Sequence, residues 1–419
     1  MWKMIYNILS LGALPFLIVI GLTNAKMKPN FRRRLLPPKV TTSPGALMIH
    51  GASIGEGVIA RNLADYLSAN GGPARFLITT NTHYAEEMLR KKPTQAYDLH
   101  CESLPFDLRF SVSRFLDSRR PSAIIVVETE IWPNLVWEAH KRHIPFIIVN
   151  GRISDRTLET YRKLSVFLRS VFGAMDLVIT QSPEHRDRFI SIGMTPDRVF
   201  VTGNVKYYRQ AIGDTQKKDA SERIITFGSV KEKELEEVYS AIDLLKKSLP
   251  KFRIFIAPRE LHLAEIIETD LTKKYSTARF SKIKGGADTS AEIVVVDTVG
   301  DLQGIYGRSM VAFVGGSLAP YGGQNMLEPL FVGTPVLFGP FTNTFRDISQ
   351  AILDGKAGFL VRTGKDIHDM VIRLLDDESL YTATQKAGEE IVARQTHVMK
   401  ETAEIIMDKL GLTHSTRKT

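Results

Sequence analysis

The stretch Ala46–Gly57, ALMIHGASIGEG, decides the fold. Ala46–His50 is a short apolar run without strict alternation, as in a strand buried on both faces of a parallel sheet. The glycine-rich turn Gly51–Gly57 then leads into an amphipathic stretch, Gly57–Ser68, that reads as a helix. The same alternation continues outward from this unit. Arg75–Thr79, Ala123–Val127, Pro145–Asn150, Leu177–Thr180 and Val199–Thr202 read as further strands, and Trp132–Lys141 as one of the intervening helices.

A polar, apolar-poor segment, RQAIGDTQKKDASE at Arg209–Glu222, suits a linker. A second series follows: Ile224–Phe227, Arg253–Ala257, Glu292–Asp297, Met310–Val314, Thr334–Phe338 and Gly358–Val361, with a helical stretch at Lys233–Ser248. Two successive βα series predict an α/β protein of two doubly wound domains facing across a cleft, with ligands beyond the carboxyl ends of the strands. The expected organisation is an anchor helix over 1–25, a basic juxtamembrane segment over 26–45 and a first domain over 46–208. The linker 209–222, a second domain over 223–395 and a C-terminal helix and tail over 396–419 complete it.

In a chain of 419 residues, 43% hydrophobic and 24% charged residues exclude wholesale disorder. The single cysteine, Cys101, excludes an intramolecular disulfide and any cysteine-cluster metal site. The net charge of +9 is concentrated at one end. Lys3, Lys26, Lys28, Arg32, Arg33, Arg34 and Lys39 supply seven charges in the first 40 residues, which contain no acid, leaving +2 to the other 379. That asymmetry argues against nucleic-acid binding and for a membrane surface. Met4–Leu22 is uncharged, and as one helix it would rise about 28 Å, close to the hydrocarbon thickness of a bilayer. The cations after it predict an inner-membrane anchor, spanning or interfacial, with the remaining chain cytoplasmic. Five cations just beyond Thr23-Asn24-Ala25 oppose cleavage there as a signal peptide.

The strand-end motifs carry the chemistry. After the first strand, Gly51–Gly57 is spaced GxxxGxG, not GxGxxG, and Glu56 stands where a phosphate would sit. A carboxylate there repels anions, and the helix N-terminus favours its ionised form. It can serve as a general base toward a sugar hydroxyl, or simply cap the first helical turn. The third predicted strand runs into Glu128-Thr129-Glu130-Ile131-Trp132-Pro133-Asn134, whose alternating carboxylates place one on each face. Arg152 and Arg156, with small polar neighbours, are candidate anion ligands or solvated surface cations. In the second series Arg259 ends a strand. Gly315-Gly316-Ser317 and Gly322–Pro329 offer backbone amides for a phosphate, and Asn325 and Glu328, three apart, are spaced for one helical face with a carboxylate for ribose hydroxyls.

Together these motifs resemble the 3-deoxy-D-manno-oct-2-ulosonic acid (Kdo) transferases of lipopolysaccharide assembly, over nearly the whole chain. The resemblance is carried by SxGE at Ser53–Glu56, ETExWPN at Glu128–Asn134, RxSxR at Arg152–Arg156 and GNVKY at Gly203–Tyr207. It continues with DTxGDL at Asp297–Leu302, FVGGS at Phe313–Ser317 and GGxNxLEP at Gly322–Pro329. It implies a GT-B fold, a CMP-Kdo donor, a phosphorylated and acylated glucosamine disaccharide (the lipid A precursor lipid IVA) as acceptor, and Glu56 as catalytic base. Arg259, Gly315, Gly316, Ser317, Gly323, Asn325, Glu328 and Lys206 become donor-site candidates. Ser53, Gly55, Glu128, Glu130, Arg152 and Arg156 become acceptor or anion candidates. No metal or other cofactor is expected: a single phosphate needs less neutralisation than a pyrophosphate, and helix N-termini with Arg259 or Lys206 suffice. The chain departs from the family pattern at Gly228–Glu234, GSVKEKE, where STHxGEE is usual, and at Pro258–Leu263, PRELHL, where PRHPER is usual. Those departures keep open another GT-B enzyme with a UDP-linked ligand, and a membrane-attached paralogue without activity. Neither half carries the fingerprint of a dehydrogenase.

Overall fold

The computed structural model describes residues 1–24, 27–39, 44–91, 94–208, 223–286 and 290–412. It divides into two compact units, Met1–Gln210 with Gln395–Thr419, and Ala211–Arg394. The predicted linker 209–222 and the tail from 413 lie outside the described residues. The final helix Glu378–Lys409 gives its first part to the second unit and its remainder to the first.

The first unit is built on seven parallel strands: β1 (Leu47–His50), β2 (Arg75–Thr80), β3 (Asp98–Ser103), β4 (Ala123–Val127), β5 (Phe146–Gly151), β6 (Leu177–Thr180) and β7 (Val199–Val201). Their order is β3-β2-β1-β4-β5-β6-β7, so the direction of winding reverses between β1 and β4. Both faces are covered, which is why the strands read as continuous apolar runs. In β4, Ala123, Ile125 and Val127 enter one core, while Ile124 and Val126 enter the other. Val398, Met399, Ala403 and Ile406 of the last helix complete the first of these cores. Strand β3 was not predicted. It is an edge strand whose sequence, DLHCES, lacks the apolar run of its neighbours.

The second unit repeats the architecture with β8 (Ile224–Val230), β9 (Arg253–Pro258), β10 (Thr277–Arg279), β11 (Ile293–Val295), β12 (Val311–Val314), β13 (Val336–Phe338) and β14 (Gly358–Leu360). The order is β10-β11-β9-β8-β12-β13-β14, again all parallel, and the reversal falls between β8 and β12. The short edge strand β10, sequence TAR, was also not predicted.

The N-terminal apolar run is not one helix. It forms Trp2–Gly12 and Leu14–Thr23, bent by 45°. The break has a local cause: Pro15 has no N–H to give Leu11, and its ring crowds that carbonyl. No single helix among the described residues is long and apolar enough to cross a membrane; by length and composition the bent pair passes together. Both helices dock on the first unit. Tyr6 stacks on Phe167 and meets Trp137 edge-on, while Leu14, Leu17 and Ile18 pack on the cluster of Phe31, Phe106 and Leu108. Met4, Ile8, Leu9, Phe16, Val19 and Ile20 stay exposed. Arg34 departs from the predicted basic surface. It is buried, donates to the carbonyls of Leu104 and Asn81 at 2.8 Å each, and lies over the Phe106 ring.

Candidate active site

In the first unit the chemistry gathers where the winding reverses, at the carboxyl ends of β1 and β4, the place such sheets reserve for ligands. The turn after β1 is tight: a Cβ on Gly51 would lie 2.5 Å from the carbonyl carbon of Glu56. That closeness, not Gly55, whose Cβ would meet only Ser53 Oγ at 3.9 Å, is what the glycines provide. Ser53 caps the helix Ile54–Ala69 in a reciprocal box with Glu56. Glu56 Oε2 accepts the amides of Ala52 at 2.7 Å and Ser53 at 3.4 Å, and Oε1 accepts Ser53 Oγ at 2.9 Å. The capping role is therefore realised. Of the roughly four lone-pair positions on a carboxylate, three are used, and one on Oε1 remains for a substrate proton.

Glu130 follows β4, across the winding reversal from Glu56. Burial, then the charge of Glu56, then that of Glu128, hold the Glu130 carboxyl above the usual carboxylate range. Glu128 has φ 64°, a left-handed conformation sparsely populated for a side chain with a Cβ. Its amide donates to Val149 at 2.8 Å and its carboxylate pairs with Arg152 at 3.2 Å. Arg152 is further tied through its backbone to Thr129. Arg156 is exposed on the helix Asp155–Lys163 and forms no ion pair among the described residues. Trp132 packs against the core that holds Ile124 and Val126 and meets the His50 ring edge-on.

Two supporting residues carried no sequence signal. His50 is buried, with Nδ1 at 3.1 Å from the Thr79 carbonyl, and burial pushes its pKa down to about 3. Asp107 holds the start of the helix Pro133–Lys141 by accepting the amides of Asn134 and Leu135 at 3.0 Å each. It also accepts the hydroxyl of Tyr6 at 2.8 Å, and burial pushes its carboxyl up to about 6. The helix that follows ETExWPN is thus seated partly by a residue of the N-terminal helix.

The second unit overturns one expectation. The amides of Gly316, Ser317 and Leu318 are not open to a phosphate. They donate to the buried carboxylate of Glu234 at 2.6, 2.8 and 2.7 Å, and Lys231 adds a fourth amide at 3.0 Å. The Gly315 amide is taken by the Gly228 carbonyl at 2.8 Å. A Cβ on Gly315 would lie 2.7 Å from both Ser229 O and Val230 Cα, so glycine lets the ends of β8 and β12 close on each other. Ser317 is fully buried and donates to the Val314 carbonyl.

Asn325 and Glu328 do not share a helix face. Asn325 precedes the short helix Leu327–Leu330 and caps the Leu327 amide, while its Nδ2 stands 3.5 Å from Glu328 Oε1. Both are half-buried, and Gly323, at φ 85°, lies in the same loop. Arg259 is exposed at the end of β9, beside Glu260, which pairs with Lys231 at 3.0 Å. Lys206 belongs to the first unit, exposed on the turn Val205–Tyr207. No group of three or more metal-ligating side chains occurs among the described residues.

A family model described as 3-deoxy-D-manno-octulosonic-acid transferase (kdotransferase) matches residues 29–209. The 3-deoxy-D-manno-octulosonic acid transferase of Aquifex aeolicus is 30% identical, over 82% of this chain and 90% of its own. That of Haemophilus influenzae is 28% identical, over 97% and 98%. Among solved structures, UDP-GlcNAc 2-epimerase from Neisseria meningitidis, bound to UDP-GlcNAc, aligns with a TM-score of 0.56 at 14% identity, over 88% of this chain and 100% of that one. That likeness is one of fold: two parallel-sheet α/β domains of the GT-B class.

Proposed function

The chain belongs to the 3-deoxy-D-manno-octulosonic acid (Kdo) transferase family, and on that premise we propose that it moves Kdo from CMP-Kdo to a hydroxyl of the lipid A precursor, inverting at the anomeric carbon. The observation that supports this most directly is the placement of Glu56 and Glu130 just beyond the carboxyl ends of β1 and β4, on either side of the winding reversal. In the proposed step the acceptor hydroxyl gives its proton to Glu56 Oε1 while its oxygen bonds the anomeric carbon of Kdo. The bond from that carbon to the phosphate oxygen breaks, and CMP departs with the electron pair. Glu130, held protonated to higher pH by burial and its neighbours, is suited to donate a hydrogen bond where Glu56 accepts one. Arg156 is available for an acceptor anion, and Arg152 orients Glu128.

On the donor side we assign direct contact to Arg259, Gly323, Asn325 and Glu328 of the second unit. Gly315, Gly316 and Ser317 act instead through the Glu234 lock. We place the protein at the inner membrane, on its cytoplasmic side. The exposed apolar residues of the bent helix pair suit a helix pair lying in the interface, with Lys28 and Lys39 toward anionic headgroups.

The test is transfer from CMP-Kdo, generated in situ, to lipid IVA in detergent, read by mass spectrometry, for wild type, Glu56→Ala and Glu56→Gln. Kdo mass increments in the wild type that vanish in both variants, with CMP affinity kept, are the expected result. Absence of any increment from folded wild type overturns the donor–acceptor pair. Transfer retained in Glu56→Gln removes Glu56 as base.

A further inference from the structure

A second site lies in the first unit, apart from the β1–β4 reversal. A cavity of about 560 Å³ is walled by Arg32 and Arg33 of the helix Phe31–Leu35, by Arg90, by Glu102 of the edge strand β3, and by Arg114 and Arg119 of the helix Arg109–Arg119. Its charge does not balance. Arg119, itself only 3% exposed, is held by Glu102 at 2.6 and 2.8 Å, and Arg90 by Glu86 at 2.7 Å. Among the described residues, Arg114 donates to the Pro37 carbonyl and forms no ion pair, and Arg32 and Arg33 are exposed and likewise without one. Three guanidinium groups therefore face the cavity uncompensated. The two compensated ones, Arg90 and Arg119, line the same cavity.

Guanidinium forks match phosphate oxygens bidentately, and three net positive charges suit a phosphomonoester, which carries up to two negative charges. The volume is several times that of a bare phosphate and within the range of pockets that enclose a small organic ligand. The surroundings name its source. Phe31, on the same short helix as Arg32 and Arg33, lies against Gly21 so closely that a Cβ there would be 2.0 Å from its ring. Gly21 belongs to the helix Leu14–Thr23, whose Phe16, Val19, Ile20 and Leu22 are exposed. The cations are thus fixed beside an apolar surface of the kind that enters a bilayer.

We propose that this cavity binds the phosphomonoester headgroup of a membrane lipid. The site uses neither Glu56 nor any donor residue, so it stands or falls separately from the transfer reaction.

The test uses the full chain and vesicle flotation, with phosphatidylcholine vesicles and the same vesicles containing phosphatidic acid. Wild type is expected to partition to the phosphatidic acid vesicles and weakly to phosphatidylcholine alone. Arg32→Gln/Arg33→Gln should weaken that partition by roughly tenfold per arginine, the scale of one charge-assisted hydrogen bond. The variant Lys141→Gln/Lys251→Gln removes two exposed cations away from the cavity and should change it less than about twofold, apart from general surface attraction. Equal losses in the two double variants would show mere surface charge and overturn the site. A calorimetric titration with inorganic phosphate and with glycerol 3-phosphate separates the sources. If these soluble anions saturate the cavity and phosphatidic acid vesicles bind no better than phosphatidylcholine, the lipid assignment is overturned. No binding of any of the probes overturns the site itself. Both double variants lie at exposed positions, and unchanged circular dichroism confirms that each is folded.

Discussion

Glu234→Gln is the substitution that most directly tests the reading of the second unit. The side chains are nearly isosteric, so packing is kept and only the hydrogen-bond logic changes. In the wild type, Oε1 accepts Ser317 and Leu318, and Oε2 accepts Gly316 and Lys231. A glutamine oxygen can keep one of these pairs, but its NH2 must face the other pair donor to donor. Each buried donor left unmade costs about 1–3 kcal/mol. Two of them, reduced by the returned desolvation of the carboxylate, leave about 3 kcal/mol. For a unit of this size that corresponds to on the order of 10 °C in its unfolding midpoint. Glu234→Ala strands all four and should cost about 4 kcal/mol or more. The two units can be followed apart, because Trp2, Trp132 and Trp137 all fall in the first. Tryptophan fluorescence then reports the first unit, and the remaining far-ultraviolet dichroism change reports the second. Glu232→Gln, exposed two residues away, is the control. A Glu234→Gln dichroism transition within about 0.5 kcal/mol of wild type would refute the lock and reopen Gly316 and Ser317 to a phosphate.

Asp107→Asn should alter the pH dependence of stability. The folded carboxyl is pushed up to about 6 from 3.8. Between those values the native state binds more protons than the unfolded one, so this group's contribution to stability falls as pH rises from about 4 to about 6, by about 3 kcal/mol. Urea titrations across that range should show this slope in the wild type and lose it in the variant; an unchanged slope assigns it elsewhere. Arg34→Gln should destabilise the first unit by about 3 kcal/mol, since it removes two short hydrogen bonds to backbone carbonyls, one buried and one part-buried, as read by tryptophan fluorescence in urea. A cost under about 0.5 kcal/mol would return Arg34 to the surface. Glu328→Ala should weaken CMP binding by about tenfold in calorimetry, the scale of one hydrogen bond to a charged group; unchanged affinity removes it from the donor site.

Strands buried on both faces were legible because their apolar runs have no other good explanation. Ala123–Val127 and Leu177–Thr180 match residue for residue. The edge strands β3 and β10 were not, since an edge needs less apolar surface and so leaves little pattern. Composition showed that Met4–Leu22 was apolar, but Pro15 had to be weighed as a missing donor to see the bend. The positions of Glu56 and Glu130 followed from strand ends, whereas Asp107 and Glu234 act through partners 27 and more than 80 residues away. Such long-range carboxylate caps have no local spacing to announce them. Arg34 was hidden among Arg32 and Arg33, because three successive basic residues look alike until a helix turns one of them inward.

The two sheets treat the same topological feature in opposite ways, and this bears on what the departures at 228–234 can change. At the β1–β4 reversal Glu56 and Glu130 follow the two strand ends, with one lone pair of Glu56 unused among the described residues. At the β8–β12 reversal, Gly315 lets the strand ends close and Glu234 fills the remaining amides. On the proposed reading, polar interaction with a ligand in the second unit comes from groups beyond the lock, Arg259 and the Gly322–Glu328 loop. The replaced positions Ser229 to Lys233 meet the lock through backbone: Ser229 and Val230 where they close on Gly315, and Lys231 by its amide, whose bond to Glu234 any residue but proline can make. The carboxylate on which the geometry depends is retained. Variation in this segment can then alter side chains, Lys231 among them, without disturbing the frame that presents the loop. Lys231→Ala should on this argument destabilise the second unit by only about 1 kcal/mol, the scale of a part-exposed ion pair with Glu260 and a contact over the Tyr321 ring. A loss as large as that of Glu234→Gln would show that the frame depends on the Lys231 side chain as well.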